Sequence, residues 1–127
     1  MLSGKAVLVV DDEPGMRRLA ARAIDAAGGE AFQAADGRQA IIILERGGID
    51  AAVIDIFMPE KEGLETIVEA KRRWPRLKVI AISGGGLVGH TDALHTARIV
   101  GADAVMAKPF SFSDLVAQIA RLVDRSA

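Results

Sequence analysis

The chain has 127 residues, 16 of them basic and 17 acidic, for a formal net charge of −1, and it contains no cysteine. Near-neutrality supplies no overall field to hold nucleic acid or an anionic membrane, and the missing thiols exclude disulfides and cysteine chemistry. At this length folding buries about two-thirds of the unfolded chain's surface, enough for one core.

The first element in chain order is the apolar run Ala6-Val7-Leu8-Val9-Val10, which ends in Asp11 and Asp12. Short, continuous, β-branched runs of this kind predict strands buried on both faces, as in a parallel sheet. A helix follows from Pro14, with Met16, Leu19, Ala20, Ala23, Ile24 and Ala27 expected on its inner stripe, Arg17, Arg18 and Arg22 in water, and Gly28-Gly29 as its stop. A second strand is expected over 30–35. Asp36 is placed to cap a second helix that Gly47-Gly48 can end. The third run, Ala51-Ala52-Val53-Ile54, delivers Asp55, and a third helix extends from about Glu62 to Trp74 before Pro75.

Two further strands are expected over 78–82 and 104–107, the former followed by Ser83 and the latter by Lys108. A helix is expected between them, after His90. Ser111 or Ser113 announces the last helix, with Leu115, Ile119 and Leu122 at i, i+4 and i+7. Five βα units in alternation predict an α/β fold with a parallel five-stranded sheet and one domain over 1–127, with no output domain following. No apolar run nears the roughly 20 residues that cross a bilayer, and the start of the chain lacks a signal-peptide pattern, so a cytoplasmic location is expected.

In a parallel sheet all the strands' carboxyl ends share one edge, where open α/β sheets bind ligands. Asp11, Asp12, Asp55, Ser83 and Lys108 are therefore expected together. The carboxylates would repel one another unless a cation neutralised them. With oxygen ligands on offer and no cysteine, Mg²⁺ is the fitting ion, and its chemistry suits phosphate. A carboxylate beside Mg²⁺, an ammonium and a hydroxyl can act as a nucleophile toward a phosphoryl group, giving an aspartyl phosphate.

These residues resemble the receiver domain of two-component response regulators along essentially the whole chain. Val9-Val10-Asp11-Asp12-Glu13 resembles the family's acidic doublet, and Asp55-Ile56-Phe57-Met58-Pro59 with Gly63 its phosphoacceptor motif. Ile82-Ser83 resembles its hydroxyl switch, and Gly101-Ala102-Asp103 through Lys108-Pro109-Phe110 its last strand and turn. The resemblance implies a flavodoxin-like fold with strand order 2-1-3-4-5, an order for which a chemotaxis receiver is a standard example. It implies Asp55 as phosphoacceptor, Asp12 as a direct Mg²⁺ ligand, Asp11 as a ligand through water and the Phe57 carbonyl as a further ligand. Lys108 would pair with the phosphoryl group or Asp55, Ser83 would swing to a phosphoryl oxygen, and the Lys108–Pro109 bond would be cis. The implied phosphodonor is a phosphohistidine on a histidine kinase or histidine phosphotransfer protein, and the output is contact with a downstream protein of unknown identity. Nucleic acid and membrane are not expected as direct partners, and catalysis is limited to the domain's own phosphorylation and dephosphorylation.

Three positions depart from the family. Val105 stands where an aromatic is usual, Gly84-Gly85-Gly86 replaces a small residue after Ser83, and Phe57 fills a position usually smaller or more polar. The glycine run and the helix after His90 are expected to order on phosphorylation in place of an aromatic relay, and Phe57 to slow the loss of phosphate.

Other readings stand beside this one. A doublet such as Asp11-Asp12 can cap a helix, and Lys71, Arg72, Arg73, Arg76 and Lys78 can form a solvated basic face. Gly84, Gly86 and Gly89 satisfy G-x-G-x-x-G, but too little chain follows for a dinucleotide half-domain, and Asp103 precedes its strand rather than ending it. His90 and His95 carry no visible ligand set. A constitutive interaction protein on the same fold, or a small phosphatase using the acidic triad, are the alternative functions.

Overall fold

A computed structural model describes residues 1–56, 62–83, 98 and 100–124. Five strands form a single parallel sheet: β1 (Ala6–Val10), β2 (Glu30–Ala34), β3 (Ala51–Asp55), β4 (Lys78–Ser83) and β5 (Ala104–Ala107), in the spatial order β2-β1-β3-β4-β5. Four helices are described: α1 (Pro14–Ala26), α2 (Gly37–Glu45), α3 (Glu62–Arg73) and α4 (Phe112–Asp124). The expected α/β architecture and strand order are both present. Phe57, the glycine run 84–86, His90, His95 and the expected helix after His90 lie outside the described residues.

The period-2 alternation of the strands sorts the core into two layers. Val7, Val9, Val53, Ile80 and Ile82 face α1 and α4, where Ala20, Ile24, Leu115 and Ile119 are buried against them. Leu8, Val10, Ile54, Val79 and Ala81 face the opposite way, toward Ala40 and Leu44 of α2 and Ile67 and Ala70 of α3. The central strands are thus apolar between their ends because neither face meets water, whereas the edge strands β2 and β5 are only partly buried.

Local signals set the element ends. The Asp36 carboxylate accepts a hydrogen bond from the Gln39 amide at 2.8 Å, capping α2 as expected. Gly47 and Gly48 leave that helix with φ of 83° and 85°, in the left-handed region that glycine enters without steric cost. Of the two serines considered for α4, Ser111 is the cap, its hydroxyl accepting from the Asp114 amide at 3.0 Å.

Two sequence expectations need correction. α1 is rolled so that Ala20, Ala21 and Ile24 are its buried residues, and Leu19 is 51% exposed. The buried stripe runs through positions 17, 20, 21 and 24, so Arg17 heads it and is half-buried rather than in water. The basic cluster at the end of α3 is largely solvated as expected, with Arg72, Arg73 and Arg76 exposed, and two of its members also make specific bonds. Lys71 Nζ donates to the Leu77 carbonyl at 2.8 Å and to Asp103 Oδ2 at 3.0 Å, and Asp103 Oδ2 also accepts from the Val79 amide at 2.8 Å. Arg73 pairs with Glu45 at 2.8 Å and Glu69 at 3.0 Å while its guanidinium lies 4.6 Å from the Trp74 ring centroid. These bonds fasten α3 to α2, β4 and the approach to β5; Arg72 and Arg76 remain exposed.

Gly63 fixes how closely α3 approaches the end of β3. A Cβ there would lie 2.6 Å from Ile56 Cα and closer still to the Asp55 carbonyl oxygen. Both obstacles are backbone, so no side chain can yield. Gly63→Ala is expected to destabilise the fold by roughly 1–3 kcal/mol, the usual range for overpacking, read from the urea midpoint; an unchanged midpoint would contradict this close approach.

Candidate phosphoryl-transfer site

Strand register brings the predicted residues to one edge. Val10 lies opposite Ile54, so Asp11 and Asp55 each follow their strands' paired ends. Asp55 is opposite Ile82, which places Ser83 one step beyond it on the neighbouring strand. Ser83 in turn pairs with Ala107, the residue before Lys108. Side-chain oxygens of Asp11, Asp12 and Asp55 all lie within 4.8 Å of one another. Asp11 and Asp55 are buried, at 5% and 6% exposure, and Asp12 is exposed.

Lys108 reaches back over this cluster. Its Nζ stands 3.3 Å from Asp55 Oδ2 and 3.8 Å from Asp11 Oδ2. Its amide donates to the Ser83 carbonyl at 2.8 Å, which ties the ends of β4 and β5 together. Ser83 itself is fully buried, and the Lys108–Pro109 bond is cis. Val105 is half-buried opposite Ala81 and packs against the α2–α3 layer of the core.

Asp11 also has a local structural task. Its Oδ1 accepts from the Glu13 amide at 2.9 Å, a turn that leads the chain into α1, although the cap position itself belongs to Glu13. The capping reading of the doublet is therefore met in part, by Asp11, without displacing the cluster. Burial pushes the Asp11 carboxyl above its ordinary pKa. The Glu13 amide opposes this, the Asp55 anion adds to it, the Lys108 ammonium opposes it and Asp12 adds a little more.

Three carboxylates against one ammonium leave the centre short of positive charge. Every donor atom among them is oxygen, and the spacing lets one hydrated hard cation serve all three, so the residues fit Mg²⁺. The predicted Phe57 carbonyl ligand lies outside the described residues. Sequence reasoning missed Arg17, whose Nη1 donates to the Asp11 carbonyl at 2.9 Å. The signal was present in the 17-20-21-24 spacing, but an arginine at the head of an apolar stripe reads as solvent-facing until the helix roll is known.

The response regulator receiver domain model of protein families matches residues 7–120. The chain belongs to the response regulator receiver domain family. This receiver is 35% identical over 124 residues to the transcriptional regulatory protein TcrA of Mycobacterium tuberculosis, covering 98% of this chain and 48% of TcrA. It is 35% identical over 130 residues to the sensor kinase CckA of Brucella abortus, covering 98% of this chain and 13% of the kinase. A CheY-like receiver domain protein of Methanospirillum hungatei superposes with a TM-score of 0.87 at 27% identity, covering 98% of this chain and 97% of that one. The receiver thus spans about half the length of the curated transcriptional regulators it matches. Receivers are the phosphoacceptor signalling domains of two-component systems, served by histidine kinases and using Mg²⁺ at an acidic pocket. Among the described residues no helix is long and apolar enough to cross a membrane.

The raised Asp11 pKa has a definite sign. Folding penalises the anion, so the metal-free fold carries that penalty in full above the folded pKa, sheds it as pH falls through the folded pKa and is free of it below the unfolded one. Mg²⁺ requires the anion. The rise in melting temperature given by millimolar Mg²⁺ over chelator should therefore be largest near neutrality. It should shrink on acidification from a pH above the ordinary aspartate range; a constant increment down to that range would contradict the shift.

Proposed function

We propose that this receiver accepts a phosphoryl group from a phosphohistidine onto Asp55 and that the modification switches its contacts with a downstream protein. The observation that supports this most directly is the Lys108 ammonium set between the buried carboxylates of Asp55 and Asp11, at 3.3 and 3.8 Å. In the reaction an Asp55 carboxylate oxygen forms a bond to phosphorus, the phosphorus–nitrogen bond breaks, and the imidazole leaves with its electron pair and gains a proton. Mg²⁺, when bound by Asp11, Asp12 and Asp55, supplies positive charge to the transferring phosphoryl oxygens.

The chain's own residues supply the remainder. Lys108 holds Asp55 in place before transfer and offsets charge on the phosphoryl group afterwards. Ser83, one residue beyond Asp55's strand partner, is assigned the hydroxyl that bonds a phosphoryl oxygen in the product. Asp11 and Asp12 are assigned to hold the cation and Asp55 to attack, Lys108 Nζ standing nearer Asp55 (3.3 Å) than Asp11 (3.8 Å). The proposed chemistry is a single transfer followed by hydrolysis, in which water attacks phosphorus, inorganic phosphate leaves and the Asp55 carboxylate is restored, not turnover of a free substrate.

The donor is assigned to a histidine kinase or a histidine phosphotransfer protein. Contact with a protein target remains the proposed output. Curated relatives bear the names of transcriptional regulatory proteins, which makes control of transcription one process such an output could serve.

Incubation with acetyl phosphate and Mg²⁺, followed by intact-mass analysis, is expected to add one phosphoryl group to the wild type and none to Asp55→Asn. Asp12→Asn should lower the initial rate at least tenfold. Incorporation that persists in Asp55→Asn would move the acceptor elsewhere. A wild type that stays unmodified by this donor and by a phosphohistidine protein would favour a constitutive interaction module.

A further inference from the structure

Arg17 is the residue at this edge that phosphoryl chemistry leaves unused. α1 buries Ala20, Ala21 and Ile24, and Arg17 precedes them at the spacing that continues the same face. A permanently charged guanidinium at the head of an apolar stripe is costly unless its donors are satisfied. Its Nη1 is satisfied by the Asp11 carbonyl at 2.9 Å.

That oxygen belongs to the peptide linking Asp11 to Asp12. The peptide is planar, so holding its oxygen restrains the plane from whose two ends both carboxylate side chains branch. Asp11 is restrained elsewhere too: its amide donates to the Ala34 carbonyl at 3.1 Å and its Oδ1 accepts from the Glu13 amide at 2.9 Å. The Arg17 amide also donates to the Glu13 carbonyl at 3.1 Å, so the first turn of α1 and the acidic loop are tied by backbone and side chain together. Asp12 is exposed, and its backbone starts from the peptide plane that Arg17 holds.

We infer that Arg17 is a positioning residue for the metal ligands, fixing the Asp11–Asp12 peptide so that both carboxylates stand within reach of Asp55 before a cation arrives. The inference rests on the acidic cluster being a Mg²⁺ site. It has a sign that separates it from a plain charge effect. A guanidinium that acted only through its charge would repel a divalent cation, and its removal would strengthen Mg²⁺ binding. One that orients the ligands removes reorganisation from the binding step, and its loss weakens binding even though a repulsive charge has gone.

The test is Mg²⁺ affinity itself, measured by calorimetry with no phosphodonor present, for wild type, Arg17→Met, Arg17→Gln and Asp12→Asn. Methionine keeps an apolar stem for the stripe, and glutamine is uncharged and too short to reach the carbonyl from the same backbone. Both Arg17 variants are expected to bind Mg²⁺ roughly tenfold more weakly, the scale typical of residues that orient metal ligands, and Asp12→Asn more weakly still. If Arg17→Met does not fold, Arg17→Gln decides by the same criterion. Equal or tighter Mg²⁺ binding by the folded Arg17 variants would overturn the inference, including the case in which only their melting temperature falls. Absence of saturable Mg²⁺ binding by the wild type would instead remove the metal-site reading, and the inference with it.

Discussion

Parallel strands force like charges together at the sheet's carboxyl edge, and the rest of the site is organised around that repulsion. β1 and β3 are neighbours, so Asp11 and Asp55 cannot avoid each other, and both are buried. An uncompensated buried carboxylate is among the more expensive groups a fold can hold. Lys108 offsets part of this from β5, two strands away from β3, by reaching back to both carboxylates. The remaining imbalance is what makes the centre receptive to a divalent ion. A pocket fully neutralised by protein side chains would have no such affinity.

Strand order decides which residues share that imbalance. The chain leaves β1, builds β2 on one side, then crosses to build β3, β4 and β5 on the other, and the crevice opens where the direction reverses. Asp11 and Asp55 flank this crevice from adjacent strands, Ser83 follows on β4 and Lys108 on β5. Close packing of α3 on the end of β3 then requires Gly63. At the opposite edge Lys71, Asp103 and Arg73 fasten α3 to β4, the approach to β5 and α2. The charged end is joined by backbone bonds as well, from Asp11 to Ala34, Ile56 to Ile82 and Lys108 to Ser83.

Most of this was legible because burial on both faces writes itself as unbroken apolar runs, and the polar residue that ends each of them, Asp11, Asp55, Ser83 or Lys108, marks the edge. Asp36 and Ser111 were legible as caps because a short oxygen side chain before a helix has one main use. Helix roll was not legible. Hydrophobicity puts Leu19 on the α1 stripe and Arg17 in water, and packing reverses both, leaving Leu19 exposed and Arg17 half-buried. The basic cluster at the end of α3 is largely solvated, as read, but its pairings were not legible for a related reason: Lys71 finds Asp103, 32 residues away, and Arg73 finds Glu45, 28 residues away. Pairs of that separation depend on which strands lie side by side, and no local pattern encodes them.

Lys108 links the site's charge balance to its neighbours in a way that follows from its two attachments. Its ammonium divides its attraction between Asp55 and Asp11, while its amide is fastened to the Ser83 carbonyl. In the proposed reaction Asp55 exchanges a single carboxylate charge for a bulkier dianionic group, which shifts the position of lowest energy for the ammonium toward the new oxygens. The backbone bond to Ser83 couples any such shift to the end of β4. Val105 sits two pairs back from that end, opposite Ala81, with a β-branched side chain that has few alternative rotamers. It can transmit a displacement by moving as a packed unit, and it carries no ring to turn inward. In the proposed switch a displacement at this end of the sheet would pass through the strand ends at Ser83 and Lys108, which the backbone bond joins.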